Sequence, residues 1–264
     1  MARLTVVSDE GQLAERAGER ITQLIVQAVA DRGTASVALA GGTTPRRLYA
    51  NLADARQQWR DRIPWPQVHL FWGDERHVPP DHPDSNYGMA KAALIDHVPI
   101  PAEHVHRIRG ELPDAHEAAA DYDLVVSAFR WTPDVASDFS RTADVGSGFS
   151  RTSLFDVMLL GLGEDAHIAS LFSGSELLIV GRPSGRRVAA VWAPRLNVWR
   201  ITVTPGAILD SRTIIVLVAG ENKAAAVHAA MEGPLDVKTY PAQLLRSGDD
   251  RVEWFLDRAA ASRL

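Results

Sequence analysis

His167 stands in the run Gly161-Leu162-Gly163-Glu164-Asp165-Ala166-His167-Ile168-Ala169-Ser170-Leu171-Phe172, an imidazole flanked by carboxylates in a glycine-rich turn. Imidazole titrates near neutrality, which suits it to taking a proton from water there. Metal ligation is the rival chemistry, but no second histidine follows three or four residues on; a histidine that only caps local backbone is the structural alternative. Trp72-Gly73-Asp74-Glu75-Arg76 sets two carboxylates beside a guanidinium at a strand end. Asp74, Glu75 and Arg76 could serve as acid, electrostatic positioner and anion clamp, or form an ordinary loop ion-pair cluster. Gly41-Gly42-Thr43-Thr44-Pro45 offers close backbone approach, two hydroxyls and a helix N-terminus to an anion, and would equally make a tight turn with a threonine cap. It lacks the lysine of a nucleotide P-loop and the spacing of a dinucleotide fingerprint. Arg200 and Lys223 complete the set; in the first turn of a helix, the charge of Lys223 opposes the dipole unless an anion lies between them. No Gly-x-Ser-x-Gly elbow precedes a helix, and the chain has 0 Cys, so serine-elbow hydrolases, thiol nucleophiles, thiolate zinc sites and disulfides are excluded.

The elements around these residues repeat one pattern. Leu13, Ala17, Ile21, Leu24, Ile25 and Ala28 fall at helical spacing, predicting an amphipathic packing helix from Asp9 to Asp31. Short apolar strands are predicted at 36–40, 68–72, 155–160 and 213–218, each running into a glycine. Helical spacing resumes after the first, with Pro45 as first helical residue, and after the fourth, from Lys223 to Met231. Ser85 is a predicted cap for a helix through Ile95. This alternation implies an α/β fold, a mostly parallel sheet with helices on both faces. In such sheets ligands bind beyond the carboxyl ends of the strands, which gathers the four loops above into one place. Residues 132–153 carry a near repeat, Ser-Asp-Phe-Ser-Arg-Thr and Ser-Gly-Phe-Ser-Arg-Thr, expected to be a surface insertion, and Gly181 to Arg187 is a basic, turn-rich loop. His69, His97, His104, His106 and His116 are assigned structural roles.

Composition narrows the partners. With 264 residues, 46% hydrophobic and 23% charged, the chain is expected to fold as a single domain, 1–264. A net charge of -5 argues against nucleic acid as a partner. No apolar run approaches membrane-spanning length and no leader pattern opens the chain, so a soluble, cytoplasmic protein is expected, monomeric or a small homo-oligomer.

Taken together, VALAGGTTPRRLY (37–49), HLFWGDERHVPPDHPDSNYGMAKAALI (69–95), FDVMLLGLGEDAHIASLF (155–172), RITVTPGAIL (200–209), IIVLVAGENKA (214–224) and YPAQLL (240–245) resemble the 6-phosphogluconolactonases, within the wider glucosamine-6-phosphate isomerase/deaminase-like group. The resemblance implies hydrolysis of 6-phospho-D-glucono-1,5-lactone, the second step of the oxidative pentose phosphate pathway, with no metal or organic cofactor. It implies His167 as general base, with Asp165 and Asp74 or Glu75 nearby. Gly41, Gly42, Thr43, Thr44, Arg76, Arg200 and Lys223 would hold phosphate and sugar oxygens. The family's Asp-Gly-His-Thr-Ala-Ser-Leu-Phe-Pro run is altered here at Ala166, Ile168 and Ser173. An amino-sugar phosphate deaminase or isomerase is the alternative enzyme; Trp72-Gly73-Asp74-Glu75-Arg76 and Ser170-Leu171 favour the lactonase, while Ile168 leans the other way. A non-catalytic sugar-phosphate-binding module is the alternative of another class.

Overall fold

A computed structural model describes residues 2–129, 153–179, 185–194 and 196–264. The insertion at 132–153 lies outside the described residues but for its last position, as do 181–184 of the basic loop.

Among the described residues, nine strands and six helices follow in the order β1 (Arg3–Val7), α1 (Glu10–Arg32), β2 (Ala35–Leu39), α2 (Thr43–Ala53), β3 (Val68–Trp72), β4 (Asp74–Arg76), α3 (Asn86–Ala93), α4 (Ala115–Ala128), β5 (Val157–Gly161), β6 (Val188–Ala193), β7 (Val198–Val203), α5 (Pro205–Leu209), β8 (Thr213–Val218), α6 (Ala224–Met231) and β9 (Val252–Asp257). Six strands form one parallel sheet in the order β1-β9-β8-β5-β2-β3. The four apolar strands of the sequence reading are its β2, β3, β5 and β8. Every residue of β2 is buried, as expected of a parallel strand covered on both faces. A second sheet, antiparallel and three-stranded, has the order β4-β7-β6.

Gly73 joins the two sheets. Its N–H donates to the Leu39 carbonyl of β2 at 2.8 Å, and its own carbonyl accepts from Val203 N of β7 at 2.9 Å. A Cβ here would stand 2.9 Å from the Met158 methyl, so a larger residue at the crossing would require the methionine side chain to shift. Residues 74–76, expected as a polar strand end, therefore form a strand in their own right.

Two buried tyrosines finish the strand ends that carry the site. The Tyr49 hydroxyl of α2 accepts from Ala40 N and donates to Ala40 O, both at 2.8 Å. The Tyr122 hydroxyl of α4 does the same for Trp72, at 2.8 and 3.2 Å. Each closes backbone groups that no neighbouring strand reaches, and burial pushes both phenols well above their ordinary pKa.

Helix boundaries differ slightly from expectation. Asp9 caps α1 through Gln12 N, and Gly33 ends it at φ 80°. α2 starts at Thr43, not Pro45; Pro45 is tolerated in that first turn because its missing N–H would have had no helical partner. Ser85 caps α3 through Gly88 N, but the helix stops at Ala93, where Leu94 leaves helical geometry. Lys223 lies just outside α6, as its N-cap.

Candidate active site

The loop after β5 is a tight knot that presents His167. Gly163 N donates to the His167 carbonyl at 2.9 Å, Ala166 N to the Gly163 carbonyl at 3.0 Å, and Ala242 N to the Ala166 carbonyl at 2.9 Å. Ala166 and Ala169 take left-handed conformations, φ 59° and 46°. The glycine that the family carries at 166 would meet no strain there; alanine does, by roughly 1–2 kcal/mol. Ile168 is fully buried in the core, so its departure from threonine changes packing beneath the loop, and Ser173 is exposed.

His167 Nδ1 lies 2.6 Å from Asp165 Oδ1. A carboxylate only accepts, so Nδ1 carries the proton and Nε2 is left with its lone pair. Burial opposes ionisation of Asp165, but the hydrogen bonds and charge of His167 outweigh it and hold the carboxyl below its usual pKa. A Cβ on Gly163 would overlap the imidazole ring, so the pair can form only over glycine. Phe172 packs on the ring, centroids 4.8 Å apart.

Strand alternation sorts the acidic cluster. Asp74 and Arg76 share one face of β4 and line a cavity of about 280 Å³ together with His167, Arg200 and Lys223. Glu75 points the other way. Its carboxylate accepts from the N–H groups of Arg76, Asn86 and Tyr87, each at 2.7 Å, and from the Ser85 hydroxyl at 3.1 Å. Burial raises its pKa even against those bonds. The expectation that Glu75 assists His167 therefore gives way to a helix-anchoring role, since its acceptor positions are taken up by the start of α3. Asp74 Oδ2 accepts from Ser170 Oγ at 2.6 Å and Oδ1 from Asn86 Nδ2 at 3.1 Å.

Arg76 and Arg200 are register partners across β4 and β7. Arg76 donates one Nη to the Asp84 carbonyl, while its Nε and that of Arg200 are buried without a partner. Burial and the neighbouring Arg76 charge lower the pKa of Arg200. Among the described residues, Arg76, Arg200 and Lys223 form no ion pair. Gly41 and Gly42 also line the cavity, Gly42 at φ 107° as the N-cap of α2. Thr43 turns to a neighbouring groove beside Arg46 and Tyr87, and Thr44 lines neither, so the loop meets the cavity through backbone rather than through the expected hydroxyls.

Asn86, Ser170, Phe172 and Leu196 line the cavity without having been singled out by the sequence. Asn86 follows the α3 cap directly; nothing in one sequence separates it from an ordinary first helical residue. Among the described residues no cluster of three or more His, Cys, Asp or Glu side chains could hold a metal ion, and no helix is long and apolar enough to cross a membrane.

The family model for glucosamine-6-phosphate isomerases/6-phosphogluconolactonase matches residues 8–254. A 6-phosphogluconolactonase of Synechocystis sp. is 34% identical over 99% of this chain and 98% of its own length. One of Mycobacterium tuberculosis is 37% identical over 99% and 98%. The solved 6-phosphogluconolactonase of Trypanosoma cruzi superimposes with a TM-score of 0.78 at 28% identity, covering 100% of this chain and 97% of that one. A monomeric glucosamine-6-phosphate deaminase shares the fold, with a TM-score of 0.78 at 20% identity. With a family match over nearly the whole chain and relatives of this closeness, the chain belongs to the glucosamine-6-phosphate isomerase/6-phosphogluconolactonase family.

Proposed function

We propose that this chain hydrolyses 6-phospho-D-glucono-1,5-lactone to 6-phospho-D-gluconate, the lactonase step of the oxidative pentose phosphate pathway, with His167 as general base. The observation that carries the reading is the convergence of three cations, Arg76, Arg200 and Lys223, none in an ion pair among the described residues, with the His167–Asp165 pair around one small cavity. The cations and the backbone of Gly41 and Gly42 hold the phosphate and sugar oxygens. His167 Nε2 takes a proton from water as its oxygen attacks the lactone carbonyl. The tetrahedral oxyanion then collapses, the bond from C1 to the ring oxygen breaks, and the imidazolium returns its proton to that oxygen. Asp165 steadies the imidazolium between these two transfers.

A cytoplasmic location belongs to the same proposal, because a charged phosphorylated lactone does not cross a membrane unaided; a monomer or small homo-oligomer is proposed alongside it. The deciding experiment runs lactone hydrolysis, corrected for spontaneous ring opening, beside ammonia release from glucosamine 6-phosphate. Enzymatic lactone turnover without ammonia is expected; ammonia release without lactone turnover would assign the chain to the deaminase branch.

A further inference from the structure

Asn86 has the placement of a substrate-recognition residue. It is 2% exposed and lines the cavity. Its carboxamide is clamped on two sides: Nδ2 donates to the Asp74 carbonyl at 2.9 Å and to Asp74 Oδ1 at 3.1 Å, and a Cβ on Gly41 would overlap the amide from the other side. Both Asp74 partners can only accept, which fixes which end of the amide is nitrogen. Both Nδ2 protons are thereby used, and Oδ1 is left pointing away from Asp74 over Gly41. Among the described residues Oδ1 accepts no hydrogen bond, and it is not one of the sealed-off polar atoms of the interior. A nearly buried, immobilised acceptor with an opening to the cavity needs a donor from whatever fills it.

Phosphate oxygens and a lactone carbonyl only accept, so they cannot supply that donor. The sugar hydroxyls can. We infer that Asn86 Oδ1 accepts a hydrogen bond from one ring hydroxyl of the bound sugar lactone and so selects substrates that carry it. Asp74 then acts as a positioning residue, holding Asn86 on Oδ1 and Ser170 on Oδ2. Gly41 gains a second duty, since only a residue without a side chain leaves room for the carboxamide.

The inference rests on the lactonase reading, and one experiment separates the two. The 2-, 3- and 4-deoxy derivatives of 6-phosphogluconolactone are compared with the parent in wild type and Asn86→Ala, each rate corrected for spontaneous hydrolysis. In wild type, one deoxy compound should lose kcat/KM by about tenfold or more, because its binding leaves a buried acceptor unpaired. In Asn86→Ala that penalty should shrink to about twofold or less, while the other two deoxy compounds behave alike in both proteins. If Asn86 merely supports the fold or Asp74, the variant slows parent and deoxy substrates by the same factor, and the inference is overturned. Where Asn86→Ala does not fold, Asn86→Ser serves; wild type treating all three deoxy lactones within about twofold of the parent overturns it without any variant. Absence of wild-type activity on the parent lactone would instead sink the functional reading.

Discussion

Arg76 and Arg200 face each other across the β4–β7 ladder, two cations in directly opposed positions of an antiparallel pair. Like charges so placed destabilise a sheet unless an anion bridges them, and burial of both Nε atoms without partners sharpens the conflict. Inorganic phosphate or sulfate should therefore raise the melting temperature of the wild type, and Arg200→Met should melt at or above the wild-type temperature without anion while losing most of the anion's effect. On the phosphorylated lactone, Arg200→Ala should cost roughly 10- to 100-fold in kcat/KM, the usual range for one charge-assisted bond. An anion-independent melting temperature in the wild type would refute the site.

His167→Asn should lower kcat by about 10²–10⁴ with little change in stability. Gly163→Ala should approach that loss, because its Cβ occupies the space of the imidazole. Turnover above about a third of wild type in His167→Asn would remove the residue from the base role.

Asp165→Asn adds a pH signature. The folded pKa of Asp165 is depressed, so its contribution to stability is present above the ordinary carboxylate pKa and fades as pH falls through the lowered value. Melting temperatures followed below neutrality should fall more gently in Asp165→Asn than in wild type. Its kcat should drop as well, since the amide no longer fixes the Nδ1–H tautomer.

Ala166→Gly tests the left-handed turn. Relief of φ 59° favours glycine by roughly 1–2 kcal/mol, and loss of one buried methyl opposes it by about 0.8 kcal/mol. The net expectation is a gain below about 1 kcal/mol in chemical denaturation; a clear loss would show that the alanine has been absorbed by repacking.

His69 sets an acid limit to stability. Burial, then the charges of His104 and His106, lower its pKa from 6.5 to about 4, and its Nδ1 lies 3.0 Å from His106 Nε2. Between those two pH values the unfolded chain binds the proton and the folded chain does not, so stability is lost as pH falls through the window from 6.5 toward 4. His69→Gln should flatten that limb of the melting profile; an unchanged limb would place the titration elsewhere.

The sheet's apolar centre was legible because β2, β3, β5 and β8 are short apolar runs ended by glycine. β9 was hidden by Glu253 and Asp257, buried charges held by partners far away in sequence: Glu253 pairs with Arg20 at 2.6 Å, and Asp257 accepts from Gly220 N at 3.0 Å. β7 was missed because Arg200 and Thr202 break its apolar run, and β6, apolar from Val188 to Ala193, because it runs into Pro194 rather than into the glycine that marks the other strands. In the site, residue type was enough to pick out His167, Asp165, Asp74, Arg76, Arg200 and Lys223. It could not separate Asp74 from Glu75, because that distinction depends on residues 74–76 being a strand, a fact fixed by pairing with β7 more than a hundred residues later. Asn86 was beyond reach for the same reason, its partner Asp74 standing on β4 and the glycine that makes room for it, Gly41, in the loop after β2.

The pairing of β1 with β9 has a consequence for biosynthesis. Arg3 is in register with Glu253, and β9 sits between β1 and β8 rather than at an edge. On the ribosome, β1 waits beside an empty lane until β9 emerges, Glu253 being 250 residues after its register partner Arg3. Until then β1 and β8 both expose unpaired backbone, the surface most apt to recruit a neighbouring nascent chain. Such a topology favours late, cooperative closure over stepwise folding from the N-terminus, and its high sequence separation slows that closure. A chain halted shortly before Val252 would thus carry nearly every residue of the catalytic cavity and still lack the lane that locks the sheet around it.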